Sequence, residues 1–395
     1  MRYAADNEAS HTYDVLDPSY IEDPYSVWNQ LRQTCPVARS DEHGGSLLPT
    51  TWDMICEVAY DTGRFSSSDV LVLPPTTGNA FFAPPITSDP PLHGEARRIL
   101  LPHFSPKAVE ELRGATQSVA DSLIDAIEHQ ETADAAADYS RHIPVRVIAT
   151  MLDIPAEHEH QFLDWAIKVF QPSTQTPEAG RLATKEMLAY FAEVVEQRAQ
   201  DPSGPDLISQ LLRSRIDDAP LTPKHVLGTC VLLLMAGIDT TWSSLGASLL
   251  HLATHPQDRD RLVADPDLIP VAVEELLRAY APVTMARVAT ENTELGGCPV
   301  SKGDRVLLSF PAGNRDPDKF PAPDEVIIDR QKNRHFAFGI GIHRCVGSNL
   351  ARMELQVAIS TWLHRFPNFS LAPGAEIRWG GTQVRGPREV PVLLR

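Results

Sequence analysis

The chain has 395 residues, 43% of them hydrophobic, enough to bury a sizeable core and too mixed for a disordered or membrane-dominated protein. Its formal net charge of −17 argues against nucleic acid or an anionic membrane as the main partner. The five cysteines are an odd number, widely spaced and without a C-x-x-C pair, which argues against a zinc ribbon, an iron–sulfur ligand set and a disulfide framework; a reducing cytoplasm is expected.

The N-terminus has no basic segment followed by an apolar one, so no signal peptide is expected. Residues 23–33, DPYSVWNQLRQ, predict a short helix that starts behind a proline. Residues 36–52 alternate enough for short strands around a DEHGG turn. The proline-rich stretch 70–91 predicts a long loop of the functional kind. Helical spacing then covers 106–129, 142–152, 156–170 and 180–200. Thr222-Pro223 opens a long helix to about residue 254, and another covers 268–280. Its longest apolar run, 230-CVLLLMAGI-238, is too short to cross a bilayer and ends at Asp239. Strands and turns follow over 283–310, then a last helix over 346–365 and a closing strand over 385–394. There is no internal repeat and no obvious linker. The expectation is one mainly α domain over 1–395 with a small β portion, richer in strand at about 1–60, 283–335 and 369–395.

Three stretches are chemically unusual. The long helix is interrupted by 235-MAGIDTTWSSLG-246. A mid-helix glycine costs ~1 kcal/mol against alanine. Threonines bond back to the preceding turn and bend a helix. A buried acid needs a partner. Together they describe a distorted helix with a proton-handling pair, Asp239 and Thr240, beside a groove at Ala236 and Gly237; a solvated polar patch has the same composition. In 274-EELLR-278, Glu275 and Arg278 share a helix face, as an ordinary surface ion pair would. In 89-DPPLHGEARR-98, His93 and Arg97 stand four apart, suited to an anion such as a carboxylate or simply to solvent.

The fourth stretch is 335-HFAFGIGIHRCVG-347. Cys345 could be a buried structural cysteine, a nucleophile without a local signature, or a thiolate metal ligand. The last fits best. A helix begins just after it, and its dipole favours the thiolate. Gly339, Gly341 and Gly347 let backbone approach a flat ligand, against which Phe338 can pack.

The run F-G-I-G-I-H-R-C-V-G (338–347) resembles, position for position, the haem-binding signature of the cytochromes P450. AGIDTT (236–241), ELLR (275–278) and NRDPDKF (314–320) resemble further motifs of that family in order, so the resemblance spans nearly the whole chain. It implies the cytochrome P450 fold, with haem b between the long central helix and the helix after the cysteine loop. It also implies Cys345 as the proximal thiolate and metal ligand. His93, Arg97, Arg287 and His343 match propionate-binding positions, and Phe338, Gly339, Ala236 and Gly237 match haem contacts. Asp239 and Thr240 match the catalytic acid–alcohol pair that delivers protons to dioxygen. Glu275, Arg278 and Arg330 match a structural network behind the haem. Ile327 departs from the aspartate common in that segment, and Gly94 stands where a hydroxyl residue is common.

The implied activity is a monooxygenase that inserts one oxygen atom into an apolar organic substrate. A P450 that couples or desaturates its substrate is an alternative within the same fold. A haem carrier without turnover is another, against which the Asp239–Thr240 pair argues. The chain has no room for a flavin domain, so electrons are expected from a separate ferredoxin and ferredoxin reductase. They would dock near Cys345, with Arg344 and Arg98 as basic contacts. A cytoplasmic monomer with no membrane span is expected. Substrate-pocket candidates are Leu73, Phe81, Phe82, Ile86, Phe170, Leu234, Val283, Thr284 and Val384, mostly apolar as a pocket requires.

Overall fold

The computed structural model describes residues 12–74, 82–170 and 177–395. Eight helices frame the site: α1 (Leu92–Leu100), α2 (Pro106–Ile127), α3 (His142–Leu152), α4 (Glu159–Phe170), α5 (Pro177–Gln200), α6 (Pro223–Thr254), α7 (Ile269–Ala279) and α8 (Ser348–Arg365). Their starts follow the sequence signals. Ser105 Oγ accepts from the Ala108 N–H and Thr222 Oγ1 from the His225 N–H, and proline follows each cap.

Helix α6 has 32 residues and is therefore ~48 Å long at about 1.5 Å per residue. It runs through the largest hydrophobic cluster and packs against α3, α5, α7 and α8. Long and apolar enough to cross a membrane by composition, it spends that character on the protein core: 72% of its most apolar window is buried.

The main sheet has five strands: β1 (Val37–Ser40), β2 (Ser46–Pro49), β3 (Phe65–Ser66), β4 (Thr284–Ala289) and β5 (Arg305–Ser309). Their order is β1-β2-β5-β4-β3. β4 and β5 pair antiparallel from Val288↔Arg305 to Thr284↔Ser309, which fixes Arg287 opposite Val306. The β1–β2 turn places His43, Gly44 and Gly45 at positive φ, as its DEHGG sequence anticipates. The first sixty residues also carry helices at Pro18–Glu22, Pro24–Thr34 and Trp52–Tyr60.

Two expected elements differ. The helix expected over 156–170 is a 3₁₀ turn at Ala156–His158 followed by α4. The closing strand is split into Gly386–Pro387 and Pro391–Leu393. Arg388 lies between the pieces, and its side chain is drawn inward to Asp239 of α6.

Candidate active site

A cavity of about 1100 Å³ is lined by α6 and by the cysteine loop. α6 contributes Ala236, Thr240, Thr241 and Ser244; the loop contributes Phe338, Gly339, Cys345 and Val346. The loop turns sharply because Gly339 and Gly341 adopt φ of 65° and 72°. Its fold is closed by the Cys345 N–H, which donates to the Phe338 carbonyl at 2.7 Å. The close backbone approach expected at Gly341 is to protein: a Cβ there would lie 2.8 Å from the Ala59 carbonyl oxygen. Cys345 is open to the cavity, although it lies deep in the molecule. Burial pushes its thiol up, opposed by the Gly347 N–H and by Arg97, Arg344 and Arg352. The helix-dipole argument alone pointed the other way; desolvation outweighs it.

Four basic side chains meet at the edge of this cavity: His93 and Arg97 from α1, Arg287 from β4 and His343 from the loop. The rings of His93 and His343 lie 4.2 Å apart. Burial, then Arg287, His93 and Arg97, lowers His343 to about 2. Burial lowers Arg287 to about 10 and also lowers His93. None of the four has an ion-pair partner among the described residues, and buried His93 Nε2 has no hydrogen-bond partner. Two guanidinium groups without ion-pair partners and a buried imidazole nitrogen without a hydrogen bond, beside an apolar cavity, are costly unless an anion completes them. A flat, apolar group bearing two carboxylates, with an iron for Cys345, fits these donors: it matches the charge and satisfies the orphan nitrogen.

Glu275 and Arg278 of α7 form no surface pair; both are fully buried. Arg278 donates to both Glu275 oxygens at 2.8 and 2.9 Å, and Arg330 Nε donates to both at 3.0 Å. The Ile327 N–H adds 2.8 Å to Glu275 Oε1, so the segment keeps a contact there through its backbone. Beside this lies a network that the sequence did not single out. Arg352 of α8 donates to both oxygens of Glu274 at 2.6 and 2.8 Å and lies over the Phe338 ring at 4.4 Å. His335 joins at 3.1 Å. These partners outweigh partial burial and hold the Glu274 carboxyl at about 2.

The expected acid–alcohol pair is divided. Thr240 faces the cavity, and its hydroxyl donates to the Ala236 carbonyl at 2.7 Å, the back-bond that bends a helix. Asp239 is 1% exposed and lies outside the cavity lining. It pairs with Arg388 through both guanidinium nitrogens, the second at 3.3 Å. Burial raises Asp239, and Arg388 opposes that shift. No local pattern announced Arg388, which stands 149 residues away. Gly237 likewise faces away: a Cβ there would meet Ile148 of α3 at 3.5 Å.

Of the pocket candidates, Leu73, Phe82, Ile86, Val283 and Val384 line the cavity. Val283 and Val384 are paired by an antiparallel β-bridge at its wall. Leu234 does not line it; it is fully buried on another face of α6. Thr284 instead lines a separate hollow of about 30 Å³ with Tyr20 and Trp28, because alternation along β4 turns it to the other side. Phe81 and the side chain of Phe170 lie outside the described residues. The loop at 82–85 is pinned to α6. Thr229 Oγ1 donates to the Pro84 carbonyl at 3.1 Å, and Gly228 admits the Phe82 carbonyl, which a Cβ would meet at 2.2 Å.

The family model for cytochrome P450 matches residues 145–378. The mycinamicin IV hydroxylase/epoxidase of Micromonospora griseorubida is 33% identical over 93% of this chain and 94% of its own length. The 6-deoxyerythronolide B hydroxylase of Saccharopolyspora erythraea is 30% identical over 96% and 98%. The solved structure of the Bacillus subtilis bacillaene polyketide synthase cytochrome P450 PksS superposes with a TM-score of 0.86 at 30% identity, covering 97% of this chain and 99% of that one. The chain therefore belongs to the cytochrome P450 family and is an oxidoreductase of the monooxygenase type.

Proposed function

We propose that Cys345 is the thiolate ligand of a haem b held in the 1100 Å³ cavity, and that the chain acts as one catalytic domain on an apolar organic substrate. The observation that carries this reading is the cluster of His93, Arg97, Arg287 and His343 beside Cys345, none of the four ion-paired among the described residues. The four groups would hold the two propionates, and Phe338, Gly339 and Ala236, which line the cavity, would pack against the ring. When bound, the haem-thiolate supplies the activation of dioxygen. The protein supplies the rest. Glu275, Arg278 and Arg330 fix the loop's support. The apolar walls at Leu73, Phe82, Ile86, Val283 and Val384 exclude water and orient the substrate. Thr240 offers a hydroxyl at the cavity wall, and the Asp239 carboxyl beside it in the chain is held away from the cavity by Arg388.

Relatives named as a mycinamicin IV hydroxylase/epoxidase and a 6-deoxyerythronolide B hydroxylase support hydroxylation or epoxidation of a small or medium-sized organic molecule. Electrons come from a separate ferredoxin and reductase, with Arg344 and Arg98 at the docking face. The setting is cytoplasmic and the protein acts as a monomer. Reconstitution with a ferredoxin and its reductase tests the proposal through product formed per NADPH consumed. Thr240→Ala is expected to lower that ratio severalfold with haem content unchanged. A ratio equal to the wild type would remove Thr240 from the proton path, and a Cys345→Ser variant that keeps its haem-thiolate spectrum would overturn the ligand assignment.

A further inference from the structure

The cavity carries a second set of cations, remote from the first in the chain. Lys168 near the end of α4, Arg181 and Lys185 on the early turns of α5, and Lys224 on the first turn of α6 all line it. Arg181 and Lys185 are four apart and share a helix face. The ends of α4 and α5 touch here, since a Cβ on Gly180 would lie 3.0 Å from the Lys168 carbonyl oxygen. Lys168 is occupied by Asp164 at 2.6 Å. Arg181, Lys185 and Lys224 have no ion-pair partner among the described residues. Lys224 Nζ has only the Phe82 ring, at 5.1 Å. Asp69 is the one acid in the described lining, and Arg305 holds it at 2.6 Å. With 52 acids and 35 lysines and arginines in the chain, cations without ion-pair partners in the lining of one cavity stand against the overall charge. A cleft walled by one sign of charge concentrates the opposite sign.

An apolar track leads inward from this rim. Lys224, Leu227, Val231, Met235 and Ala236 line the cavity at the spacing of one face of α6. Lys224 precedes Ala236 by twelve residues, ~18 Å along the axis at about 1.5 Å per residue. An extended chain covers ~3.5 Å per three single bonds, so about 15 bonds span that distance.

Resting on the haem site proposed above, we infer that the substrate is an elongated amphipathic acid. Its carboxylate or phosphate sits at Arg181, Lys185 and Lys224, and its apolar body runs along α6 to Ala236 and Thr240. The rim fixes which end enters, and the track length fixes how far from the anion oxidation falls.

The test is a titration of the haem-loaded protein, followed in the Soret band, with tetradecanoic acid, tetradecyl phosphate and tetradecanol. The acid or the phosphate should bind about tenfold or more tightly than the alcohol, ~1.4 kcal/mol. Whichever binds tighter names the anionic group. High salt should shrink the preference. The triple variant Arg181→Glu, Lys185→Glu, Lys224→Glu should bring the ratio near one with haem content unchanged. Equal binding of acid and alcohol, a preference that survives the triple variant, or no binding of any of the three overturns the proposal. If the purified protein takes up no haem, the failure is of the haem site; calorimetric titration of the same three ligands on the same two proteins still decides the rim.

Discussion

Replacing Arg388 by methionine probes the pair that sets the state of Asp239. In the wild type Asp239 is 1% exposed and Arg388 7% exposed on their side chains, so neither is compensated by bulk water. Removing one partner of such a pair leaves a buried charge and costs ~3–5 kcal/mol. Methionine keeps much of the volume, so little of that loss comes from a cavity. The loss must also depend on pH in a definite sense. Burial already raises Asp239 above its ordinary value of 3.8, and Arg388 opposes the shift. Without Arg388 the carboxyl rises further, and the native state holds a proton that the unfolded state has released. Stability then falls as pH rises through that interval, because the native state binds more protons. Thermal unfolding of Arg388→Met, followed by circular dichroism at several pH values, should show the deficit growing from acidic to neutral pH. At neutral pH it should amount to a melting decrease of about 4–6 °C for a chain of this length. The double variant with Asp239→Asn removes the charge and should recover most of the loss. A single variant as stable as the wild type at neutral pH, or a deficit that does not change with pH, would refute the reasoning.

Two other perturbations read different parts of the site. The Glu274 carboxyl, held at about 2 by Arg352 and His335, contributes stability above its unfolded value near 4.5 that is lost as pH falls towards 2. The advantage of the wild type over Glu274→Gln in denaturant titrations should therefore be full at neutral pH and vanish across that interval; a constant difference would mean the pair contributes nothing through charge. Gly228→Ala forces the Phe82 carbonyl away from α6, since the new Cβ would lie 2.2 Å from its oxygen. Overpacking of this kind costs ~1–3 kcal/mol. Because the displaced loop walls the cavity, binding of cavity ligands should weaken more than global stability, and unchanged spectral titrations would show that the loop is not held there.

Cys345, the glycines around it, the Glu275–Arg278 spacing and the His93–Arg97 spacing were legible because each is local: a turn needs positive φ, and a helix face needs three- or four-residue steps. The long helix and the sheet hairpin followed from the same short-range rules. Thr240 was also correctly aimed at the cavity. Asp239 was not, although it is the next residue, because a step of one along a helix rotates a side chain by about 100°. Which face meets the cavity depends on what α6 packs against, and periodicity was weak where the helix is apolar all round. The same cause turned Leu234 and Gly237 away.

The sequence by itself determined the main helices from 106 to 200, the long helix from Thr222-Pro223, the cysteine loop, and the order of motifs that marks the family; it did not announce the shorter helices at Trp52–Tyr60, Leu207–Arg213 and Pro256–Ala264. Only the tertiary structure decided who pairs with whom across the chain. Arg388 reaches Asp239 over 149 residues, Arg352 reaches Glu274 over 78, and Lys224 is brought into one cavity lining with Arg181 and Lys185. The physical reason is range. Backbone sterics and capping act within a few residues, whereas burial and Coulomb interaction depend on distance in space, which is set once the helices have packed.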